Sequence, residues 1–579
     1  MITNPDEQVD LAGAWRMAGA AVVRKMLGEL SFERLFEPEP TEDAPPGAYR
    51  GWRLSLPGDV GYSFRARRGA FGSWAVAPGG VTRAEAGAPP VPADDPRTLV
   101  LDMRPGLSPE RVSEVLTALT ATVAHEAARL RAAPTAEKLS TMDYDLAEGH
   151  LTGSPDLVLD KARTGFSAAD RERYSPESGE DIQLRWFAVR REHARFHAVE
   201  DLAEHLLLLE ELDPDQRAEF TELVAEAGDP ADYLWLPVHP WQADEIVGTR
   251  YAAELATGVV VDLGPSHDHY RPHQTVGTLA NVSRPTRRDV RTVLSVRDTP
   301  AEEGPALTAG PDVTSWLKGI SAADDLLSRE FRFELLGEVA AVAVRHPLFG
   351  EYPETLGAVW REPVSTRLAE GERAVSFAAL PERDLDGRSV LAELVHRSGL
   401  DAAQWLGRVL DIALTPLLHW MLRYGVAFRP DGRHLILIVD DAGRPLRAAL
   451  KVFARGVDVL DAEHVELAGG AQAAVRRVPP ERLARSLTDG LLAGQLRFWA
   501  ETLLDDLDFP RTRCWDLARD VVARYGVAHP ETAPRLDASR LTAPDVERPS
   551  PNRARLTGAE VLPQRVPNPL HAADPAGAW

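Results

Sequence analysis

Basic residues and a histidine are gathered in the segment 148–166 of this 579-residue chain, EGHLTGSPDLVLDKARTGF. His150, Lys161 and Arg163 stand there among glycines. Such a set can hold a carboxylate or a phosphate through charge-assisted hydrogen bonds. The alternative is a solvated basic loop, because charged side chains are mostly exposed. The segment is therefore a candidate anion-binding site.

A second cationic stretch lies at 285–292, PTRRDVRT, with Arg287, Arg288 and Arg291 in it and Arg284 just before it. In an acidic protein this density of positive charge suits a triphosphate or a polycarboxylate. A strand edge kept soluble by its charges would have the same composition.

Two further clusters allow both a functional and a structural interpretation. In LPVHPWQ at 236–242, a tryptophan under a proline turn with His239 bonded to the backbone explains the pattern. The hairpin at 424–453 carries Asp431, His434, Asp440 and Lys451. Carboxylates there could ligate Mg²⁺, and turn chemistry explains Asp440 equally well.

Composition excludes several classes of function. With 65 Lys+Arg against 88 Asp+Glu, the net charge is −23, which argues against a nucleic-acid-coating role and leaves room for a small anionic ligand. The single cysteine, Cys514, excludes an intramolecular disulfide and a cysteine-cluster zinc site. We expect a cytoplasmic protein, since we find neither a signal peptide nor an apolar run long enough for a membrane span. The Gly-rich nucleotide-binding signatures, the zinc helix and the nucleophile elbow are all missing.

Periodicity predicts an α+β protein with about three lobes. Helices are predicted at 11–30, from 109 onward with Ser108 as N-cap, and at 401–424. Strands are predicted within 49–76, at 233–240 and 292–296, and in a hairpin of 433–439 with 446–453. Loops are predicted at 78–97 and 298–312, and the Pro-rich last 50 residues are predicted to wrap over the preceding domain with little regular structure.

Taken in order, these clusters resemble one family, the IucA/IucC family of siderophore synthetases that work without a peptide-synthetase assembly line. The resemblance covers about residues 140–570 and rests on seven short motifs: EGH…KARTGF at 148–166, YSPE at 174–177, HPWQ at 239–242, PT…RT at 285–292, LGAVWREP at 356–363, YGVAF at 424–428 and VPNPL at 566–570. Their shared order makes the match specific.

The resemblance implies a cupped-hand fold. Residues 1–140 would be a helical thumb, 141–365 a β-rich fingers lobe, and 366–579 a kinase-like palm with a C-terminal wrap. It also implies ATP-dependent activation of a carboxylate such as citrate or succinate. An acyl-adenylate forms, and an amine, hydroxylamine or alcohol then displaces AMP. ATP and Mg²⁺ are the implied cofactors, small carboxylates and amines the partners, and a homodimer the assembly, with no nucleic acid and no membrane.

The resemblance also assigns roles to residues. Arg291, Lys161 and His150 are the candidate catalytic residues. The candidate nucleotide-binding residues are Arg291, Thr292, Arg163, Lys318, His434 and Lys451. No metal ligand is assigned.

The sequence departs from the family pattern in the motifs for ATP and metal. Asp289 stands where the family has a serine, and an anion beside a phosphate repels it. Residues 429–434 replace a Glu-Ala-His-Gln-Gln-Asn type run, and Lys451-Val452-Phe453 replaces Arg-Asp-Phe, so that Val452 offers no oxygen to Mg²⁺.

Three hypotheses follow from this divergence. The chain is an active ligase with a rearranged site, in which Asp431 or Asp440 supplies the metal contact. Alternatively, it is a non-catalytic homologue that binds a small carboxylate or regulates a partner synthetase. A third possibility is acyl transfer from a preactivated donor, for which the ATP motifs are dispensable.

Overall fold

The computed structural model describes residues 9–571 apart from 44, 46, 105–106, 297–306, 346–347, 349–354, 462–466 and 468–469. Helices and strands are mixed throughout, which confirms the predicted α+β class. Within the described ranges, no helix is long and apolar enough to span a bilayer.

The N-terminal part packs helices on a sheet. The elements are α1 (Leu11–Phe32), β1 (Glu39–Pro40), β2 (Arg50–Leu56), β3 (Val60–Arg68), β4 (Trp74–Val76), β5 (Thr82–Ala84), β6 (Val91–Pro92), α2 (Pro96–Met103) and α3 (Pro109–Arg131). The predicted Ser108 cap is confirmed, since its hydroxyl accepts the Arg111 N–H. The prediction of a loop at 78–97 was wrong in part, because β5 and β6 extend the sheet in the order β1-β2-β3-β5-β6. Pairing with β3 overrides the local Gly and Pro content there.

The middle of the chain forms two sheets. The helices are α4 (Ala136–Thr141), α5 (Tyr144–Ala147), α6 (Ala168–Tyr174), α7 (Glu204–Glu211), α8 (Pro214–Ala227), α9 (Pro240–Gln242), α10 (Gly248–Arg250), α11 (Ala252–Ala256) and α12 (Gly310–Ala323). The strands are β7 (Arg185–Arg190), β8 (Ala194–Ala198), β9 (Tyr233–Val238), β10 (Val260–Pro265), β11 (Tyr270–Pro272), β12 (Thr278–Asn281), β13 (Asp289–Thr292), β14 (Glu334–Leu336), β15 (Glu338–Val344) and β16 (Gly357–Arg361). One sheet has the order β10-β7-β9, and the other β11-β12-β13-β16-β15-β8.

The predicted strand at 292–296 was wrong in position, since β13 runs from Asp289 to Thr292. On one face of β13, Val290 is buried against Trp360 of β16. This packing determines which residues form the strand, although charged residues lie on its other face. In the predicted loop at 298–312, residues up to 306 lie outside the described residues, and α12 begins at Gly310.

The C-terminal part combines a mixed sheet with long helices. Its elements are β17 (Glu372–Ser376), α13 (Val390–Ser398), α14 (Ala402–His419), β18 (Val426–Phe428), β19 (Leu435–Asp440), β20 (Pro445–Lys451), β21 (Val457–Leu460), α15 (Ala471–Ala474), β22 (Arg476–Val478), α16 (Pro480–Leu487), α17 (Arg497–Leu507), α18 (Arg511–Ala528), α19 (Ala533–Ser539), β23 (Asp545–Arg548), α20 (Pro551–Thr557) and β24 (Gln564–Pro567). The predicted helix at 401–424 is confirmed as α14 with a π-helical extension, and the predicted hairpin is confirmed as β19 and β20. The last 50 residues were wrongly expected to lack regular structure, because β23 pairs with β24 and α20 lies between them.

The C-terminal segment packs against the start of the chain. The Asn552 side chain of α20 donates to Glu33 at 2.8 Å and to the Asp156 carbonyl at 2.7 Å. Its amide oxygen accepts the Val158 N–H at 2.7 Å.

One short connection joins the two sheets that matter for function. β14 pairs with β20 in the sheet β14-β20-β19-β17, with Leu336 opposite Lys451. After Gly337 the chain enters the next sheet as β15, where Glu338 lies opposite Arg361. A Cβ on Gly337 would lie 2.2 Å from the Thr314 methyl carbon, so this close passage needs glycine. The ends of both sheets, and the residues on them, are thereby brought together.

Candidate active site

A row of charged residues lies on one face of the six-stranded sheet, next to the Gly337 connection. Glu338 of β15 is opposite Arg361 of β16, which is opposite Asp289 of β13. Arg291 lies two residues farther along β13 and therefore on the same face as Asp289. Its Nη2 donates to Glu338 Oε1 at 2.9 Å.

The opposite wall comes from β20 and from the segments that precede β7 and follow β11. Lys451 ends β20, and its Nζ lies 4.9 Å from the centre of the Tyr144 ring. His273 Nε2 lies 3.0 Å from Asp145 Oδ1. Glu148 accepts the Gln274 N–H at 3.0 Å. We call this group of side chains, together with the charged sheet face, the junction site.

In the described part of the chain, two charged side chains of the junction site are buried without a hydrogen bond or an ion pair. Lys451 is 7% exposed and Asp289 is 5% exposed. Among the described residues, neither side chain has a hydrogen bond or an ion pair. Buried charges are normally paired, so a ligand of suitable charge would stabilise both side chains.

The electrostatics of these groups follow from burial and from their neighbours. Burial lowers the pKa of Lys451, against the opposing effect of Glu148. Burial and the nearby Asp145 raise the pKa of Asp289 to about 6. Burial alone would lower the pKa of His273, but Glu148 and Asp145 outweigh it and the pKa is raised. Perturbed groups of this kind cluster at functional sites.

Several polar atoms around the junction site are buried without any hydrogen-bond partner. They are the Tyr144 hydroxyl, His273 Nδ1, Arg291 Nε and Arg361 Nε. Native proteins leave few buried polar atoms unsatisfied. A polar ligand or bound water would satisfy these four atoms.

The Lys161–Arg163 block lies in an internal ion cluster beside the junction site. Arg163 Nη1 donates to Glu177 Oε2 at 2.5 Å, and Lys161 Nζ lies 2.9 Å from Glu177 Oε1. Burial alone would raise the pKa of Glu177, but Arg163 and Lys161 hold it well below its usual range. Glu126 is 3.6 Å from Lys161 Nζ and bonds Arg129.

The EGH and YSPE motifs form this cluster through a close backbone contact. A Cβ on Gly149 would lie 2.5 Å from the Pro176 carbonyl oxygen, so only glycine fits there. Gln274 connects the cluster with the junction site, because its amide nitrogen lies 2.5 Å from the Glu148 carbonyl oxygen and 3.4 Å from Glu177 Oε1.

Comparison with known proteins gives the chain its family. A model described as the IucA / IucC family matches residues 143–382, and one described as ferric iron reductase FhuF-like transporter matches residues 403–562. Aerobactin synthase of Escherichia coli is 30% identical over 585 residues, which cover 96% of this chain and 98% of that protein. The chain belongs to the IucA/IucC family.

Solved structures agree with this assignment. Aerobactin synthetase IucC from Klebsiella pneumoniae is 30% identical, with a TM-score of 0.87 over 96% of this chain and 98% of that one. ATP-bound aerobactin synthetase IucA from the same species is 19% identical and shares the fold, with a TM-score of 0.76 over 96% and 99% of the two chains.

The IucA/IucC residues predicted from sequence are only partly brought together. Arg291 and Lys451 belong to the junction site, and His434 is next to it, since its carbonyl accepts the Lys451 N–H at 2.9 Å. Thr292 follows Arg291 on β13 and so lies on the opposite face of the strand, with Val290. Its hydroxyl is buried without a partner.

The remaining predicted site residues lie outside the row of charged residues on β13, β15 and β16. Lys318 Nζ is 2.5 Å from Glu362 Oε1 and lines a separate cavity of about 270 Å³ with Arg367. His150 is half-buried, and its pKa is lowered by burial and by Arg129. Lys161 and Arg163 contact Glu177 in the internal cluster instead of pointing to an open site.

The arginine-rich stretch does not act as a unit. Arg284 Nε donates to Asp268 at 2.8 Å, and Arg288 Nη1 donates to Glu211 at 2.8 Å. Among Arg284, Arg288 and Arg291, only Arg291 therefore remains a candidate for binding the predicted triphosphate.

The contacts of Asp431, Asp440 and His239 agree with the structural interpretation of their motifs. Asp440 accepts the Arg444 N–H at 2.8 Å within the turn. Asp431 Oδ1 lies 3.0 Å from His434 Nδ1, and this histidine and Arg433 hold the pKa of Asp431 well below its usual range against the effect of burial. His239 Nδ1 accepts the Trp241 N–H at 3.1 Å as a helix cap.

Sequence reasoning missed Tyr144, His273, Glu338 and Arg361 as site residues. The sequence does carry a signal for Arg361, because this residue belongs to the LGAVWREP motif. His273 and Glu338 lie in segments without a recognisable pattern, and only strand pairing brings them together.

The junction site fits ATP better than it fits a protein-held metal. Lys451 and Arg291 are cations that could oppose the charge of a phosphate, in a site that also contains the carboxylates of Asp289, Asp145, Glu148 and Glu338. In the described part of the chain, no group of three or more His, Cys, Asp or Glu side chains is arranged to hold a metal ion.

Proposed function

We propose that this protein is an ATP-dependent carboxylate–amine ligase of siderophore biosynthesis, which condenses a citrate- or succinate-like acid with an amine, hydroxylamine or alcohol through an acyl-adenylate. Full-length similarity at 30% identity to aerobactin synthase supports the reaction class. The ATP-bound IucA of the same fold supports the choice of nucleotide.

The observation that carries the proposal is the buried, unpaired Lys451 at the junction of the two sheets. Keeping an ammonium group at 7% exposure without a hydrogen-bonded counter-ion is unfavourable for the protein alone, and the nearby carboxylates of Glu148 and Asp289 offset the effect of burial only in part. The position becomes favourable when a phosphate or carboxylate lies beside it, because the attraction is strong where water is excluded. Lys451 and Arg291 are the residues proposed to hold the nucleotide phosphates.

The chemistry follows from this placement of charge. A carboxylate oxygen of the acid attacks the α-phosphorus of ATP, and pyrophosphate leaves. Negative charge builds on the phosphate oxygens in that step, and fixed cations stabilise it without reorganising at the moment of reaction. The amine then attacks the acyl carbon in the same site, so the second step gains from proximity.

Mg²⁺ is proposed to arrive with the nucleotide. It usually keeps several waters and binds through substrate phosphates with one or two carboxylates, so a cage of protein ligands is not required. The homodimer and the three-lobe division at residues 140 and 365 stay predictions.

The test is turnover by the purified protein. A panel of carboxylates with and without diamines is scanned for AMP release, in the wild type, Lys451→Met and the exposed control Lys138→Met. We expect acid-dependent AMP release, reduced about 10²–10³-fold by Lys451→Met and unchanged by Lys138→Met. No AMP release with any acid, or full activity of Lys451→Met, would show that the proposal is wrong.

A further inference from the structure

Asp289 differs from the other acidic side chains of the junction site because it lacks a hydrogen-bond partner among the described residues. Asp145 lies beside His273, Glu148 accepts from Gln274, and Glu338 accepts from Arg291. The Asp289 side chain has no hydrogen bond or ion pair among the described residues, although it is 5% exposed. An unpaired buried carboxylate is costly unless it has a task that involves a ligand.

Four charged groups from other parts of the chain act on Asp289. Arg361 lies opposite on β16, Lys451 ends β20, His273 follows β11, and Asp145 belongs to α5. The three cations favour the carboxylate, whereas burial and Asp145 oppose it. The balance leaves a carboxyl group that takes up and releases a proton close to neutral pH.

The position of Asp289 relative to Arg291 suits a two-step reaction. The two side chains are on one face of β13, two residues apart, which is about 7 Å along a strand. If Arg291 holds the phosphate of an acyl-adenylate, the acyl carbon and an approaching nitrogen are within reach of the Asp289 carboxylate. The repulsion expected between this anion and a phosphate is reduced by Arg361 and Lys451.

We propose that Asp289 accepts the proton of the attacking amine or hydroxylamine when it displaces AMP. The inference rests on the proposed ligase function and names the base of its second step. The nitrogen forms a bond to the acyl carbon, the bond between that carbon and the AMP oxygen breaks, and AMP leaves with the electron pair. The proton on nitrogen passes to a carboxylate oxygen of Asp289 and from there to water.

The experiment separates the two half-reactions. Acid-dependent exchange of pyrophosphate into ATP measures adenylation, and amide formation measures the second step. Wild type, Asp289→Asn, Asp289→Ser and Asp289→Glu are compared with an alkylamine and with hydroxylamine. A base of this kind contributes about 10²–10⁴-fold. We expect Asp289→Asn and Asp289→Ser to keep exchange and to lose amide formation by that factor, with partial rescue by Asp289→Glu.

Two further readouts distinguish a base from a structural residue. The nitrogen of hydroxylamine is less basic than that of an alkylamine and gives up its proton more readily after attack, so the reaction with hydroxylamine should lose less than the reaction with the alkylamine. In the wild type, amide formation at a constant concentration of free amine should fall as the pH drops through about 6, where Asp289 becomes protonated, while exchange should not. This measurement holds even if a variant fails to fold.

The contrary outcomes are distinct. Equal loss of exchange and amide formation, or unchanged amide formation in Asp289→Asn, overturns the role of Asp289. Absence of exchange in the wild type overturns the ligase function itself, and this inference with it.

Discussion

Replacing Glu177 by Gln tests whether the Lys161–Arg163 block is structural. The carboxylate is 1% exposed and lies 2.5 Å from Arg163 Nη1 and 2.9 Å from Lys161 Nζ. Glutamine has the same shape, so no cavity forms, and one oxygen remains to accept from one cation. The charge is lost, however, so that Arg163 faces a neutral amide and Lys161 keeps Glu126, 3.6 Å away, as a carboxylate neighbour.

The expected cost follows from this geometry. Breaking a buried ion pair by removing one partner costs about 3–5 kcal/mol, which is a large part of the roughly 5–15 kcal/mol that stabilises a folded protein. The exposed Glu222→Gln on α8 is the matched control and should stay within about 0.5 kcal/mol of the wild type.

The assay is urea unfolding followed by tryptophan fluorescence, with ATP binding measured on the same preparations. We expect Glu177→Gln to shift the unfolding midpoint strongly. Unchanged stability together with lost ATP binding would refute this reasoning, and it would return Lys161 and Arg163 to direct contact with the ligand.

Two further predictions concern a motif contact and acid stability. Gly149→Ala should lower the free energy of unfolding by about 1–3 kcal/mol, because its Cβ would lie 2.5 Å from the Pro176 carbonyl oxygen. The control Gly319→Ala on α12 has open space around its Cβ and should be neutral or slightly stabilising. Equal melting temperatures for the two variants would contradict the contact. Burial lowers the pKa of His239 from 6.5 to about 3, so the unfolded chain takes up the proton first and the stability present above pH 6.5 is lost as the pH falls. Between pH 7 and pH 5 this loss of stability is about 2 kcal/mol. His239→Asn keeps an acceptor for the Trp241 N–H and should reduce the acid sensitivity by that amount in urea titrations. The same acid sensitivity in both proteins would show that His239 is not its source.

Sequence patterns predicted those features that depend on neighbours along the chain. The apolar spacing predicted α14, and the turn residues at 440–445 predicted the β19–β20 hairpin. The position of β13 was missed because its pairing depends on Val290 packing with Trp360, which is distant in sequence.

The site was predicted in its motifs but not in its contacts. Lys161 and Arg163 were found by residue type, yet their burial against Glu177 joins two separate motifs and has no local signal. Asp289 was read as repelling phosphate, because its cationic neighbours come from other strands and loops.

The most direct test of the account is calorimetric titration with ATP in the presence of Mg²⁺, in the wild type and in Lys451→Met. Removing an ammonium group whose charge is disfavoured by burial should leave stability unchanged or raise it. The account predicts that the wild type binds ATP and that Lys451→Met stays folded and loses this binding, while Lys138→Met keeps it. Equal ATP affinity in wild type and Lys451→Met, or no binding by the wild type, would contradict a nucleotide site at the junction of the two sheets.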